Sequence, residues 1–303
     1  MKDRTGTADK SRIDGASQRN RVKALLLVMP GVLWLIAFAV VPIVFLGIMS
    51  LWTSTIFGLS KTLTLDNYRS VASAPAYLLV LWHTLLIAAA TTLLALIISY
   101  PMAYFLSVLK GRRKTVAVVL LFMPFWTSYL VRTFLWLPML GRNGLINQAL
   151  MRLGIVSAPI DWLLYNEGAV LLGLVYVYTL YMTLPIYLSL DRLDPKLLEA
   201  AADLGAGPFR ALWRVMVPLS LPGILSGCIM VFLLACGAYV TPQLLGGTRG
   251  VMFGSIIAAQ YMQTNNWALG AALSVILVAV VFLCVFTIGR RVRLNEVFLG
   301  VRN

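Results

Sequence analysis

Apolar residues collect into six runs along the chain, near 25–52, 78–109, 115–139, 169–190, 223–244 and 267–289, each separated from the next by a polar or Gly/Pro-rich break. A helix crossing a hydrocarbon core about 30 Å thick needs about 20 residues. Each run therefore predicts a membrane-spanning helix, and together they predict an all-α membrane protein with six transmembrane helices. The first run is preceded by 24 mostly polar and basic residues and exceeds the roughly 7–15 apolar residues of a secretory signal, so it reads as an uncleaved span. The segments expected are a basic tail (1–24), a first helix with its following loop (25–77), a five-helix core (78–290) containing the loop 191–222, and a second tail (291–303).

Composition agrees and adds an orientation. Of the 303 residues, 60% are hydrophobic and 12% charged, half the roughly 25% charge of a soluble domain. The net charge of +14 suits nucleic acid, anionic lipid or membrane topology, and the placement of the basic residues decides among them. The N-terminal tail carries Lys2, Arg4, Lys10, Arg12, Arg19, Arg21 and Lys23, and the 110–114 loop carries Lys110, Arg112, Arg113 and Lys114. The 191–222 loop carries Arg192, Lys196, Arg210 and Arg214, and the C-terminal tail Arg290, Arg291, Arg293 and Arg302. The alternate loops hold only Lys61, Arg69, Arg142, Arg152 and Arg249, and Arg132 lies within a span. By the positive-inside rule both termini and the 110–114 and 191–222 loops are cytoplasmic. The charge is mostly a topology signal, and no nucleic-acid partner is expected beside the lipid bilayer.

The eleven acids, Asp3, Asp9, Asp14, Asp66, Asp161, Glu167, Asp191, Asp194, Glu199, Asp203 and Glu296, all fall outside the apolar runs. Proton relays and many ion-coupled carriers keep carboxylates inside the membrane. The sole histidine, His83, cannot form a bis-histidine haem site, and no His/Cys/Asp/Glu cluster has metal-ligand spacing. Cys228, Cys236 and Cys284 lie in spans, where thiols act as small hydrophobes. The phosphate-binding pattern G-x-x-x-x-G-K-[ST] is missing, so directed work requires energy from a partner. An ion-coupled secondary transporter, which needs buried carboxylates or a sodium site, and a cofactor-bearing membrane subunit are the rival classes.

The 191–222 loop carries the most information. Asp194 suits an N-cap with Pro195 at the first helical position, and Gly205 suits the left-handed residue that ends a helix. Pro208 to Val217 predicts a second short helix, started by one proline and stopped by another. On the first helix Leu197, Leu198, Ala201 and Ala202 share a face; its alanines leave it shallow enough for another protein to approach, with Glu199 as a charged handle. The same pattern suits an amphipathic connector at the lipid interface.

Glu199-Ala200-Ala201, three residues, Gly205, nine residues, then Val215-x-Val217-Pro218 resembles the EAA loop of ABC importer permeases, E-A-A-x3-G-x9-I-x-L-P. Valines at 215 and 217 replace Ile and Leu and keep the apolar character. The resemblance implies a type I ABC importer permease (MetI-like) fold in the bacterial inner membrane, not an enzyme. It implies that Glu199, Ala200, Ala201, Gly205, Val215 and Pro218 belong to a coupling element docking on the ATPase. It further implies two cytoplasmic ATPase subunits carrying the ATP and Mg, no cofactor on this chain, a second homologous permease and a periplasmic substrate-binding protein. Leu130-Val-Arg132-Thr-Phe-Leu-Trp136, Gly144-Leu-Ile-Asn147, Pro218-Leu-Ser-Leu-Pro222-Gly223, Gly237-Ala-Tyr-Val-Thr-Pro242 and Asn266-Trp267-Ala-Leu-Gly270 are similar to the first permease subunit of spermidine/putrescine importers. Opine, phosphonate and ferric-iron importers share much of this pattern.

Gly223 and Gly227 form a G-x-x-x-G step, which lets helices approach closely and is expected to pack within the subunit. Gly237, Pro242, Gly246 and Gly247 interrupt the fifth span, and broken backbone at membrane depth lies inside protein or against a water-filled cavity; a cavity wall is expected near 237–247. Arg132 is expected to be structural or to serve docking, because an arginine is a poor ligand for a cationic substrate. Trp126, Tyr129, Tyr176, Tyr178 and Tyr239 are candidates to line a path by cation–π contact. No catalytic or metal residue is expected, and substrate choice falls mainly to the binding protein.

Overall fold

The computed structural model describes residues 27–55, 58–194 and 196–292. The tail 1–24, Pro195 and most of the tail 291–303 lie outside the described residues. Among the described residues, four helices are long and apolar enough to cross a membrane: α1 (Leu27–Met49), α3 (Pro75–Val108), α8 (Glu167–Leu190) and the apolar part, Trp267–Thr287, of α14 (Trp267–Val292). Two further spans are bent pairs. Gly111–Trp126 (α4) meets the short helices α5 (Tyr129–Phe134), α6 (Trp136–Leu140) and α7 (Leu145–Arg152) at 91°, and α10 (Pro208–Leu219) meets α11 (Leu221–Cys236) at 69°. The described residues therefore hold four continuous candidate spans, or six with each bent pair as one span.

The third apolar run is not the straight helix its composition predicts. Pro124 opens a tight turn, Met123–Trp126, and Thr127 and Ser128 are extended, with ψ of 146° and 140°. An extended pair cannot continue the i→i−4 ladder, so the chain turns. The 251–262 segment also departs from expectation: it forms a helix, α13 (Phe253–Met262), outside every apolar run. Its first N–H, on Phe253, donates to the buried Thr84 hydroxyl at 2.8 Å, and that hydroxyl donates to the Val80 carbonyl at 2.7 Å. An orphan donor at a helix start needs such a partner, and here it comes from a distant helix. The all-α expectation also meets a small exception, a hairpin of Thr53–Thr55 (β1) with Gly58–Ser60 (β2).

The core is the packing of α3, α8 and α11 on one another. Gly223 and Gly227 make the close approach of α11 to α8. A Cβ on Gly223 would sit 2.5 Å from the Pro185 carbonyl oxygen, and one on Gly227 would sit 2.8 Å from the Met182 sulfur. Ser99 on α3 donates to the Thr179 carbonyl of α8 at 2.9 Å, inside the core, where an unpartnered hydroxyl would be costly. At one end of the bundle the buried Asn147 holds its loop by donating to Gly141 and Ile160 carbonyls and accepting from the Ile160 N–H. The opposite, basic end carries the 110–114 and 191–222 loops.

Candidate coupling loop and translocation cavity

Helix α9 (Lys196–Asp203) is capped at both ends by its own sequence. The Asp194 carboxylate accepts the Lys196 N–H at 3.0 Å. Gly205 has φ +76°; its N–H donates to the Ala202 carbonyl at 2.8 Å and the Ala206 N–H to Ala201 at 2.9 Å. These two bonds form the Schellman ending, which only a residue tolerant of the left-handed region completes without strain.

The face assigned to Leu197, Leu198, Ala201 and Ala202 is divided in the structure. Ala201 is 9% exposed, and Leu198 packs on the core. Leu197 and Ala202 turn outward with Glu199, Ala200 and Asp203. Ala201 thus seats the helix on its own subunit, and the outward surface holds two carboxylates. Leu204, 88% exposed, and the edge-to-face pair Phe209–Trp213, 6.2 Å apart and exposed, add apolar area that the face of Leu197, Leu198, Ala201 and Ala202 did not include.

The second loop helix runs past its expected stop. Pro208 opens it, but Pro218 lies inside α10, one residue before its end at Leu219. A π stretch over Leu212–Met216 precedes Pro218, and the Val217 N–H reaches back to the Leu212 carbonyl. The widened turn relieves the clash between a proline ring and the carbonyl four residues earlier. Val215 is half-buried in that stretch.

Two contacts fix the loop to the body. Asp191, at its start, pairs with Lys114, whose ammonium lies 5.8 Å from the Tyr187 ring centre. Ser220, at its end, is fully buried, donates to the Met216 carbonyl at 2.7 Å and lies 3.2 Å from the Tyr100 hydroxyl.

Where α11 ends at Gly237, a cavity of about 530 Å³ opens between it and α5, lined by Tyr129, Tyr178, Gly237 and Tyr239. The Tyr129 and Thr241 hydroxyls are 2.6 Å apart, and the Tyr178 hydroxyl donates to the Leu234 carbonyl at 3.1 Å. Three of the candidate aromatics therefore meet. Tyr176 does not join them: two positions from Tyr178, about 200° around a helix, it packs on Trp136 with ring centres 5.5 Å apart. Trp126 is 81% exposed, away from the cavity lining. Arg132 is 5% exposed, and its Nε and Nη1 have no hydrogen-bond partner among the described residues; the Phe125 ring centre lies 5.9 Å from its guanidinium carbon. Thr241 and the Tyr100–Ser220 joint escaped the sequence reading, since lone hydroxyls carry no local pattern.

At the other end of α8 the sole histidine meets a carboxylate. His83 Nε2 is 3.1 Å from Glu167 Oε1, beside Arg249.

The family model for the binding-protein-dependent transport system inner membrane component matches residues 26–293. The chain is 36% identical to the spermidine/putrescine transport system permease protein PotB of Haemophilus influenzae, over 84% of this chain and 88% of that one. It is also 36% identical to PotB of Escherichia coli K12, over 86% of this chain and 94% of that one. The inner membrane ABC transporter permease protein YdcU of Escherichia coli K12 is 32% identical over 71% of each chain. In fold, the chain resembles a bacterial ABC transporter involved in the import of the acidic polysaccharide alginate, with TM-score 0.69 at 13% identity over 93% of this chain and 98% of that one. It also resembles the MetNI methionine ABC transporter, with TM-score 0.54 at 17% identity over 74% of this chain and 96% of that one. A family match over nearly the whole chain, with the capped loop and its spacing in place, leads to one conclusion: the chain belongs to the binding-protein-dependent transport system inner membrane components.

Proposed function

We propose that this chain is a permease subunit of an ATP-driven importer of polyamines, of the spermidine and putrescine class. In this reading it crosses the membrane six times with both termini in the cytoplasm. It pairs with a second homologous permease and two ATPase subunits, which carry the ATP and Mg, and receives substrate from a periplasmic binding protein. The observation that carries the substrate class is the 36% identity to PotB chains over most of both lengths. The 19-to-5 distribution of basic residues between the two sets of loops and tails supports the orientation.

The geometry supports a division of labour within the loop. Glu199, Ala200, Asp203 and Leu204 present the surface for the ATPase, while Leu198 and Ala201 hold the helix to the body. Motion of the ATPases enters through α9 and reaches the core at Lys114–Asp191 and Tyr100–Ser220. The tyrosines at the Gly237 break face the path, where a protonated amine gains from their ring faces. Substrate choice rests mainly with the binding protein, since all eleven acids fall outside the apolar runs.

The test is uptake in proteoliposomes holding the chain with its co-encoded partners. ATP-dependent spermidine or putrescine accumulation that survives a proton ionophore is expected. Accumulation that collapses with the ionophore while ATP is maintained would place the protein among ion-coupled carriers instead.

A further inference from the structure

The face of α8 that carries Tyr176 borders an apolar groove of about 640 Å³ between α3, α4 and α8, lined by residues such as Ile98, Met102, Leu120 and Leu180. Toward the basic end, a second groove of about 630 Å³ lies where α3 gives way to α4, lined by Phe105, Val116 and Leu120 with Arg112 and Arg113. Leu120 lines both, so the two form one continuous apolar track with two arginines at its basic end. Both arginines are exposed, and neither has a carboxylate within 4.0 Å among the described residues. Their neighbour Lys114 is committed to Asp191. From Ile98 to its end at Val108, α3 rises about 15 Å at about 1.5 Å per residue, close to half of a hydrocarbon core about 30 Å thick; the first groove continues past Ile98 to Leu94 and, along α8, to Gly168.

We propose that this track is a binding site for an anionic phospholipid of the leaflet at the basic end, with one acyl chain in the groove and its phosphate on Arg112 and Arg113. The stretch of the track between the arginines and Ile98 has the depth of one leaflet and matches a lipid tail, and two free guanidiniums at its surface end match a phosphodiester, with which arginine forms paired charge-assisted hydrogen bonds. An apolar helix from a protein partner would cover the groove and leave both charges unanswered. The site lies on the side of α8 away from the tyrosine cavity, so it does not depend on the substrate.

Native mass spectrometry of the full-length chain, titrated with phosphatidylglycerol or phosphatidylcholine, tests this. Phosphatidylglycerol is expected to bind at least about tenfold more tightly. The double variant R112Q/R113Q is expected to lose about thirtyfold in that affinity, the equivalent of about 1 kcal/mol for each basic group. L120W, which plugs the track without touching charge, is expected to release the lipid as well, with V116W as the second plug if L120W fails to fold. R192Q/R210Q, an equally exposed pair at the same end, is expected to retain it. Equal binding of the two lipids, an unaltered R112Q/R113Q, plugs that both fold and keep the lipid, or an equal loss in R192Q/R210Q would each overturn the proposal. So would loss of the lipid from the assembled transporter, since a protein segment would then fill the track.

Discussion

The hydroxyls of Tyr100 and Ser220 lie 3.2 Å apart, joining the long helix α3 to the 69° corner where the loop helix α10 turns into α11. Ser220 also closes that corner locally through the Met216 carbonyl. In the proposed coupling route, a push at α9 reaches this joint through the chain between Asp203 and Ser220. Tyr100→Phe removes one hydrogen bond, worth about 1 kcal/mol, too little to unfold the protein. The expected outcome is an assembled complex that hydrolyses ATP at near wild-type rate while uptake falls several-fold. Unchanged uptake per ATP would show that the joint transmits nothing.

Gly205 offers a conformational test. At φ +76° a β-branched residue costs about 1–2 kcal/mol, and Asn tolerates the region better. Nothing lies within 4 Å of a Cβ placed there, so conformation alone is at stake. Gly205→Val is expected to fray the end of α9 and weaken co-purification of the ATPase, and Gly205→Asn to restore most of it. Equal retention by both variants would show that the Schellman ending is dispensable.

The glycines of α11 separate packing from conformation. Gly223→Leu drives a side chain into the Pro185 carbonyl and the Ser189 side chain, and overpacking of this kind costs about 1–3 kcal/mol or more. By contrast Gly47→Ala in α1, with open space around it, is expected to be neutral or to gain about 0.5–1 kcal/mol. Thermal unfolding in detergent reads both. A Gly223→Leu protein melting with the wild type would show that α8 and α11 do not touch there.

These glycines, like the caps of α9, were legible in the sequence because their signals are local: Asp194 and Gly205 bracket ten residues, and G-x-x-x-G repeats once per turn. The burial of Ala201 was not legible, because a stripe of Leu and Ala on a short helix reads the same whether it faces its own subunit or a partner. The bend at Thr127–Ser128 hid inside a run read as one span from its length and apolar content, and helix α13 depends on Thr84, whose hydroxyl comes from 169 residues away. Three of the five aromatics meet at the Gly237 cavity; composition could propose them, but only the rotation of α8 separates Tyr178 from Tyr176.

That separation is itself testable. Tyr178→Ala opens the cavity and removes an aromatic face worth about 0.5–2 kcal/mol to a cation, so polyamine uptake is expected to fall about fivefold or more with ATPase assembly intact. Tyr176→Ala, on the far side of the helix beside Trp136, is expected to leave uptake within about twofold. Equal effects on radiolabelled spermidine uptake would remove the cavity from the path.

Glu199 is an outward charge of α9 and the proposed point of contact with the ATPase. Being exposed, it contributes little to folding, within about 0.5 kcal/mol. The most direct measurement is ATP-dependent spermidine uptake by proteoliposomes of the wild type and of Glu199→Arg, with the bound ATPase quantified in each. A Glu199→Arg protein that melts with the wild type yet binds little ATPase and accumulates no spermidine is the expected result. Wild-type uptake and full ATPase occupancy in that variant would contradict the assignment of this loop as the entry point of the energy.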